Sequence, residues 1–375
     1  MSQSDVPVAP LLWLLLIVLS LVLYMTLDGF DLGIGMLLPF QRDPAHRRAM
    51  IELVATVWDG NESWLVLLGV ALFAGFPLAY ANALPALYVP VIVMLLALLA
   101  RGAAFEFSSQ CGHLVRAWGD TFAVASAVAA LCQGLALGAV LGGLTGAIGG
   151  GAVRPFDFLS PYSLLIALLV MALYALAGAG WMVDRAGGEV RSHAGIAGRI
   201  AGGVVAVLLL AALAITPIVS PIAHTPHADG PIVLAFTLLL LALLGLGVAF
   251  ATLDGRHGSV PFLAAVGTLA ALDLGAVAVA YPFLLPGALT LWQAAAPPST
   301  YNLLLGGVAL CVPVTLAYTA YAYFVFRGPA VAEARAAAAP GATFVDGPFQ
   351  GTEPVPTAGP SRNGAMPPAS TGGRL

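Results

Sequence analysis

The chain has 375 residues, of which 60% are hydrophobic and only 9% are charged. Soluble globular proteins carry roughly 25% charged residues, so the composition excludes an ordinary soluble fold and indicates an integral membrane protein. The formal net charge of −4 says little by itself, because the side of the membrane on which each charge lies matters more in such a protein.

Apolar segments long enough to cross a membrane recur from one end of the chain to the other. A helix needs about 20 residues to cross a hydrocarbon core of ~30 Å. We therefore predict an all-α, polytopic protein with nine transmembrane helices, at residues 10–38, 51–76, 80–104, 119–147, 160–184, 198–222, 231–253, 260–284 and 303–326.

The arginines predict the orientation of these helices. The chain has no lysine, and 13 of its 14 basic residues fall on one side of the predicted membrane, whereas only Arg154 falls on the other. Loops that carry the basic residues remain in the cytoplasm. The N-terminus is therefore expected outside and the C-terminus in the cytoplasm.

The last segment differs in composition from the rest of the chain. Residues 329–375 are rich in Ala, Pro, Gly, Ser and Thr, as in VPTAGPSRNGAMPPASTGG. Such a segment has too little apolar surface to fold. We predict a membrane domain over residues 1–328 and a disordered cytoplasmic tail over 329–375.

Two acids lie within the first predicted span, in LDGFDLGIG. Asp28 and Asp31 are three residues apart and share a helix face, roughly 10–15 Å from the cytoplasmic end. An ionisable group inside a membrane helix is costly, so each one is a functional-site hypothesis. Gly29 and Gly33 have the GxxxG spacing that allows another helix to approach closely.

The second and third spans carry matching polar residues. In VWDGNESW, Asp59 and Glu62 are again three residues apart, beside Trp58 and Asn61, and Arg101 follows near the end of the third span. A helix that starts at residue 51 places Asp59 roughly 12 Å from the cytoplasmic surface, in the same layer as the acids of the first span. Such a layer fits a proton entry path, a cation site or a neutralised structural network.

The remaining polar residues give weaker signals. All six histidines fall in or beside predicted loops, so we expect no haem bound by this chain alone, and no metal site is predicted. Asp273 lies near the centre of the eighth span. It fits either proton movement or a protonated acid that is hydrogen-bonded to a neighbouring helix.

Six stretches together resemble subunit II of the cytochrome bd family of quinol oxidases, including its cyanide-insensitive branch. They are LDGFDLGIGML, VWDGNESWLVLLGVALFAGFPLAYA, LYVPVIVMLLALLARGAAFEF, CQGLALG and YPFLLP with LTLWQA. The resemblance extends over nearly all of the chain up to residue 328. It implies two four-helix bundles plus a peripheral helix, in an obligate heterodimer with a haem-bearing subunit I.

The resemblance also implies a function. The family's complex oxidises quinol on the outer side and reduces dioxygen to water with protons from the cytoplasm, using b-type and d-type haems in subunit I. Asp59 corresponds to the aspartate of the family's proton path, and Asp28, Asp31, Trp58 and Arg101 match residues around it. Some members hold a structural quinone in subunit II, for which the surroundings of this cluster, including Asn61, are the expected place.

The resemblance also suggests partners and a location. The expected partners are subunit I, membrane lipid and a small accessory subunit, with no nucleic acid, in the bacterial cytoplasmic membrane. Glu62 stands where relatives often have glutamine, and it adds either a protonatable step to the proton path or only a hydrogen bond. Asp273 has no counterpart in the family pattern, so no family role transfers to Asp273. A proton- or cation-coupled secondary transporter is the alternative, although the acids lie off the midplane and no second copy of the motifs is visible.

Overall fold

The computed structural model describes residues 8–110, 115–144, 156–221 and 229–325, which are almost entirely α-helical. These residues belong to one compact unit. The predicted tail, residues 329–375, lies outside the described residues, as do His113, His224 and His227.

Each predicted span contains a helix. In chain order the helices are α1 Val8–Leu37, α2 Pro44–Glu52, α3 Trp58–Gly75, α4 Pro77–Gln110, α5 Val115–Leu141, α6 Pro161–Arg185, α7 Gly188–Val219, α8 Asp229–Thr252, α9 Val260–Ala280, α10 Leu291–Ala294 and α11 Pro298–Val325. A 3-10 turn, Leu38–Phe40, follows α1, and the strands β1 Phe283–Leu285 and β2 Leu289–Thr290 form a small antiparallel hairpin before α10.

Eight of the described helices are long and apolar enough to cross a membrane, namely α1, α4 to α9 and α11. The second predicted span corresponds to α3, an 18-residue helix that begins with the polar sequence WDGNES. Helix α3 is not among the eight helices that are long and apolar enough to cross a membrane. Large apolar side chains remain exposed along α4, α7, α8 and α11. The chain is therefore a multi-pass membrane protein.

The predicted start of the second span, at residue 51, is wrong. Helix α2 ends at Glu52, a turn occupies residues 53–57, and α3 begins only at Trp58. Leu53, Val54 and Val57 bury their side chains in the core, and the Leu53 carbonyl accepts a hydrogen bond from Trp181 Nε1 at 3.2 Å instead of continuing the helix. Burial of these apolar side chains outweighs the helical continuation that their hydropathy predicts.

Helix α1 is central and packs against α3, α5, α6 and α9. Glycine makes its contact with α6 possible: a Cβ atom on Gly33 would lie 1.9 Å from the Tyr174 carbonyl oxygen, and one on Gly178 would lie 2.6 Å from the Ile34 nitrogen. The close approach predicted from the GxxxG spacing is confirmed, and its partner is α6. This contact fixes the face of α1 that the acids must occupy.

Candidate functional site

The polar residues of three helices meet around one buried arginine. Arg101 of α4 is fully buried, and its Nη2 donates to Asp28 Oδ1 of α1 at 2.5 Å and to Glu62 of α3. Asp28 is also fully buried, whereas the Glu62 side chain is 24% exposed. Because two carboxylates share one guanidinium, this acid–arginine cluster carries a net negative charge when both acids are ionised.

Asp31 is held by an amide and not by a cation. Its Oδ2 accepts a hydrogen bond from Asn61 Nδ2 at 2.8 Å, and the same amide nitrogen reaches the Leu27 carbonyl at 3.2 Å. The Asn61 Oδ1 in turn accepts from the Tyr323 hydroxyl of α11 at 3.0 Å. Asp31 is fully buried, so its ionised form depends on this amide and on the more distant charge of Arg101.

The cluster retains unused hydrogen-bonding capacity. Asp28 Oδ2, Asp31 Oδ1, and Nε and Nη1 of Arg101 are buried and have no hydrogen-bond partner among the residues that the structure describes. Most buried polar atoms in proteins are paired with protein or with ordered water. Water molecules can pair with all four atoms, whereas a ligand with carbonyl oxygens can pair only with the two Arg101 donors.

A small cavity lies beside the amide that holds Asp31. It is lined by Gly60 and Asn61 of α3, by Thr56 of the preceding turn, and by Thr319 and Tyr323 of α11. Its space is sufficient for about one water molecule. The Thr319 hydroxyl is buried without a hydrogen-bond partner in the described part of the chain, and such a water would satisfy it.

Asp59 lies outside this hydrogen-bonded cluster. Because α3 begins at Trp58, Asp59 is in the first helical turn and is exposed, so its predicted position eight residues into the helix is wrong. An acid in the first turn interacts favourably with the positive end of the helix dipole. Asp59 remains one turn from Glu62 and interacts with it electrostatically, so Glu62 lies between the exposed acid and the buried ones.

Trp58 packs beside the cluster and is only partly buried. Its ring stacks on Phe105, with 4.9 Å between ring centroids and 13° between planes, and it lies close to Gly102. A side chain at position 102 would meet the indole at 3.3 Å. The aromatic pair therefore covers the turn of α4 that carries Arg101.

Sequence reasoning missed a polar chain behind the cluster. Tyr174 of α6 donates to Gln133 Oε1 of α5 at 2.7 Å, and Gln133 Nε2 donates to the Tyr24 hydroxyl of α1 at 2.5 Å. The available signals were the position of Tyr24, four residues before Asp28 on the same helix face, and the glutamine in the apolar stretch CQGLALG. Neither signal predicts which residue the side chain contacts, because the contacts join different helices.

Asp273 lies apart from the acid–arginine cluster. It is on α9, is 6% exposed and has an Oδ2 atom without a hydrogen-bond partner within the described ranges. Within the same ranges, no three His, Cys, Asp or Glu residues form a group that could hold a metal ion.

Comparison with protein-family models matches residues 9–326 to cytochrome bd terminal oxidase subunit II. The chain belongs to this family. The chain is therefore a subunit of a quinol oxidase of the cytochrome bd type, as the sequence resemblance predicts.

Individual relatives agree with this membership. The cytochrome bd-I ubiquinol oxidase subunit 2 of Escherichia coli K12 is 28% identical, over 86% of this chain and 96% of the relative. The probable cytochrome oxidase subunit 2 of Haemophilus influenzae is 26% identical, over 83% and 92%. The bd oxidase structure from Geobacillus thermodenitrificans matches with a TM-score of 0.70 at 18% identity, over 86% of this chain and 98% of that one, which shows a shared fold.

Removal of the arginine is expected to destabilise this bd oxidase subunit severely. In Arg101→Met, the Asp28 carboxylate becomes an uncompensated buried charge, which costs about 3–5 kcal/mol. We expect a lower thermal unfolding midpoint and a lower yield of the purified complex. The second change Asp28→Asn should restore part of the loss, because it removes the stranded charge.

Arg47→Met is the matched control for this prediction. Arg47 pairs with Asp120, whose side chain is 57% exposed, and exposed pairs contribute about 0–1 kcal/mol. A complex with Arg101→Met that is as stable as the one with Arg47→Met would contradict a structural dependence on the buried pair.

Proposed function

We propose that this chain is subunit II of a quinol:oxygen oxidoreductase that pairs with a haem-bearing subunit I and supplies it with protons from the cytoplasm. The observation that supports this role is the arrangement of the acids, from exposed Asp59 through half-buried Glu62 to buried Asp28 and Asp31. Reduction of dioxygen to water consumes protons. A graded series of carboxylates can deliver them into a region that water does not freely enter.

The members of the series have different chemical roles in this proposal. Arg101 holds Asp28 and Glu62 by charge-assisted hydrogen bonds, which favour their ionised forms. Asp31 has no cation in direct contact, so proton uptake there relieves a buried charge. Water in the cavity would lie beside Asn61 and Tyr323, the two side chains that connect Asp31 to α11 by hydrogen bonds.

The proposed membrane arrangement has nine spans, which are the eight long apolar helices together with α3. The two proposed four-helix bundles are α1, α3, α4 and α5, and α6 to α9, with α11 as the peripheral helix; the packing of α4 on α5, of α6 on α7 and of α8 on α9 supports this grouping. In this proposal the N-terminus lies outside and the C-terminus in the cytoplasm, which the arginine distribution supports. The cytoplasmic side is then the side on which α1 ends and Asp59 is exposed.

The partner subunit would carry the haems and the quinol-binding loop. The names of the relatives support this pairing, since each is called a second subunit of an oxidase. A small accessory subunit completes the proposed complex. A secondary transporter is not favoured, because family membership extends over residues 9–326.

A structural quinone is proposed beside Trp58, which is only partly buried. The unpartnered Nε and Nη1 atoms of Arg101 are donors of the kind that a quinone carbonyl accepts, and the partly exposed indole offers a ring to stack on. Organic extraction of the purified complex should then recover quinone in stoichiometric amount, and less of it from Trp58→Leu. Equal recovery from both complexes would exclude this position.

Asp59→Asn tests the entrance of the proposed proton path. The amide keeps the shape of the carboxylate but cannot carry a proton, so quinol-dependent oxygen uptake per haem should fall by about tenfold or more. Because Asp59 is exposed, haem content and assembly should remain those of the unmodified complex.

Asp120→Asn provides the control, since Asp120 is also exposed but pairs with Arg47. It should leave oxygen uptake per haem unchanged. Equal oxygen uptake by the Asp59→Asn and Asp120→Asn complexes would show that the acid–arginine cluster has only a structural role.

A further inference from the structure

Helix α11 is attached to α3 by a tyrosine near each of its ends. The Tyr301 hydroxyl donates to the carbonyl of Gly75, the last residue of α3, at 2.6 Å. The Tyr323 hydroxyl donates to Oδ1 of Asn61, in the first turn of α3, at 3.0 Å. The two helices are therefore antiparallel. The first hydrogen bond reaches the backbone, whereas the second reaches the side chain that holds Asp31.

The second hydrogen bond is not needed to keep an apolar helix in the membrane. Leu310, Val314 and Phe324 of α11 are exposed, as expected of a helix that faces lipid. Hydrogen bonds between membrane helices contribute only modestly to their association. The contact of Tyr323 with a buried amide therefore calls for an explanation beyond the attachment of α11.

The Asn61 amide has two possible orientations, and its neighbours favour one of them. An amide donates from its nitrogen and accepts at its oxygen. Here Nδ2 lies 2.8 Å from Asp31 Oδ2 and 3.2 Å from the Leu27 carbonyl oxygen. A backbone carbonyl can only accept, so the reversed amide would place two acceptors against each other at Leu27. The observed orientation points Oδ1 at Tyr323, from which it accepts a hydrogen bond.

The Tyr323 hydroxyl is held in place to act as that donor. Its ring packs edge-on against Phe30 of α1 and Trp181 of α6, with centroid separations of 6.5 and 6.1 Å and interplanar angles of 71° and 81°. Phe30 and Trp181 are buried and stack on each other. The packing of three rings from three helices thus fixes the point at which the Tyr323 proton meets Asn61.

The cavity beside this contact offers a competing partner for the amide. Asn61, Thr319 and Tyr323 all line it, and it has space for about one water molecule. The Thr319 hydroxyl is buried without a hydrogen-bond partner among the described residues, so it can anchor such a water. When the Tyr323 hydroxyl is removed, this water can turn towards Asn61 and replace the missing donor. An experiment on Tyr323 must therefore also remove the anchor at Thr319.

We propose that Tyr323 is a positioning residue, which holds the Asn61 amide with its nitrogen towards Asp31. The peripheral helix α11 thereby sets the hydrogen bond on which a buried acid of the site depends. A contribution of this positioning to turnover rests on the proposed function, because Asp31 must first take part in proton transfer. The positioning itself rests only on the contacts of Asn61 and Tyr323.

Infrared spectroscopy of the purified complex tests the positioning. The Asp31 bands are the carboxyl signals that disappear when Asp31→Asn is added to a given complex. They should be shifted in Tyr323→Phe with Thr319→Val compared with Thr319→Val alone, because the amide is then free to turn. Tyr301→Phe with Thr319→Val is the matched control, since it removes the other tyrosine hydroxyl that attaches α11 to α3. This control should leave the Asp31 bands in place.

A second comparison tests the route through Asn61. In an Asn61→Leu complex the amide is absent, so Tyr323→Phe with Thr319→Val should shift the Asp31 bands no further. Unshifted Asp31 bands, an equal shift in the Tyr301→Phe control, or a shift that persists without the amide would overturn the proposal. If Asp31→Asn prevents assembly, the whole carboxyl region of the two tyrosine variants is compared directly, and identical spectra there would also overturn it.

Oxygen uptake separates this inference from the proton path. If Asp31 passes protons, loss of the Tyr323 hydroxyl together with the Thr319 anchor should lower quinol-dependent oxygen uptake per haem about two- to tenfold, as for the loss of one hydrogen bond. The Tyr301→Phe control should keep the rate of the Thr319→Val complex. Shifted Asp31 bands with unchanged oxygen uptake would support the positioning and count against the proton path.

Discussion

The buried positive charge of Arg101 is the constraint on which the rest of the site depends. A guanidinium without exposure to water must be paired, and here Asp28 of α1 and Glu62 of α3 provide the anions. The pairing fixes how far α1, α3 and α4 can slide past one another. It also leaves one acid of the cluster, Asp31, without a cation in contact, which gives the site a group that can change its charge without loss of the central pair.

Packing on the opposite face of α1 makes this arrangement possible. Gly33 meets the backbone of α6 so closely that a Cβ atom would lie 1.9 Å from the Tyr174 carbonyl oxygen. Glycine permits such approach because it has no side chain to displace. The acids at positions 28 and 31 are thereby held towards α3 and α4, and the sequence DGFDLGIG encodes both contacts within three turns of helix.

The sequence predicted the helical class, the location of every long helix and the family, because apolar runs, arginine sidedness and the DGFD and WDGNE motifs are local signals. It misplaced the start of α3, since the run LVATV has the hydropathy of a helix and its turn is imposed by burial of Leu53, Val54 and Val57. Because of that error, Asp59 was predicted too deep in the membrane. The pairing of Gln133 with two tyrosines was not predictable either, because it depends on the register of three helices that no local pattern specifies.

The most direct test of the proton path is proton uptake from the cytoplasmic side by the complex in liposomes during reaction of the reduced enzyme with oxygen. Asp31→Asn keeps the shape of the side chain that Asn61 holds at 2.8 Å but removes its ability to carry a proton. We expect proton uptake to slow while the haem content stays unchanged. Uptake at the rate of the unmodified complex would contradict a role for the acid–arginine cluster in supplying protons.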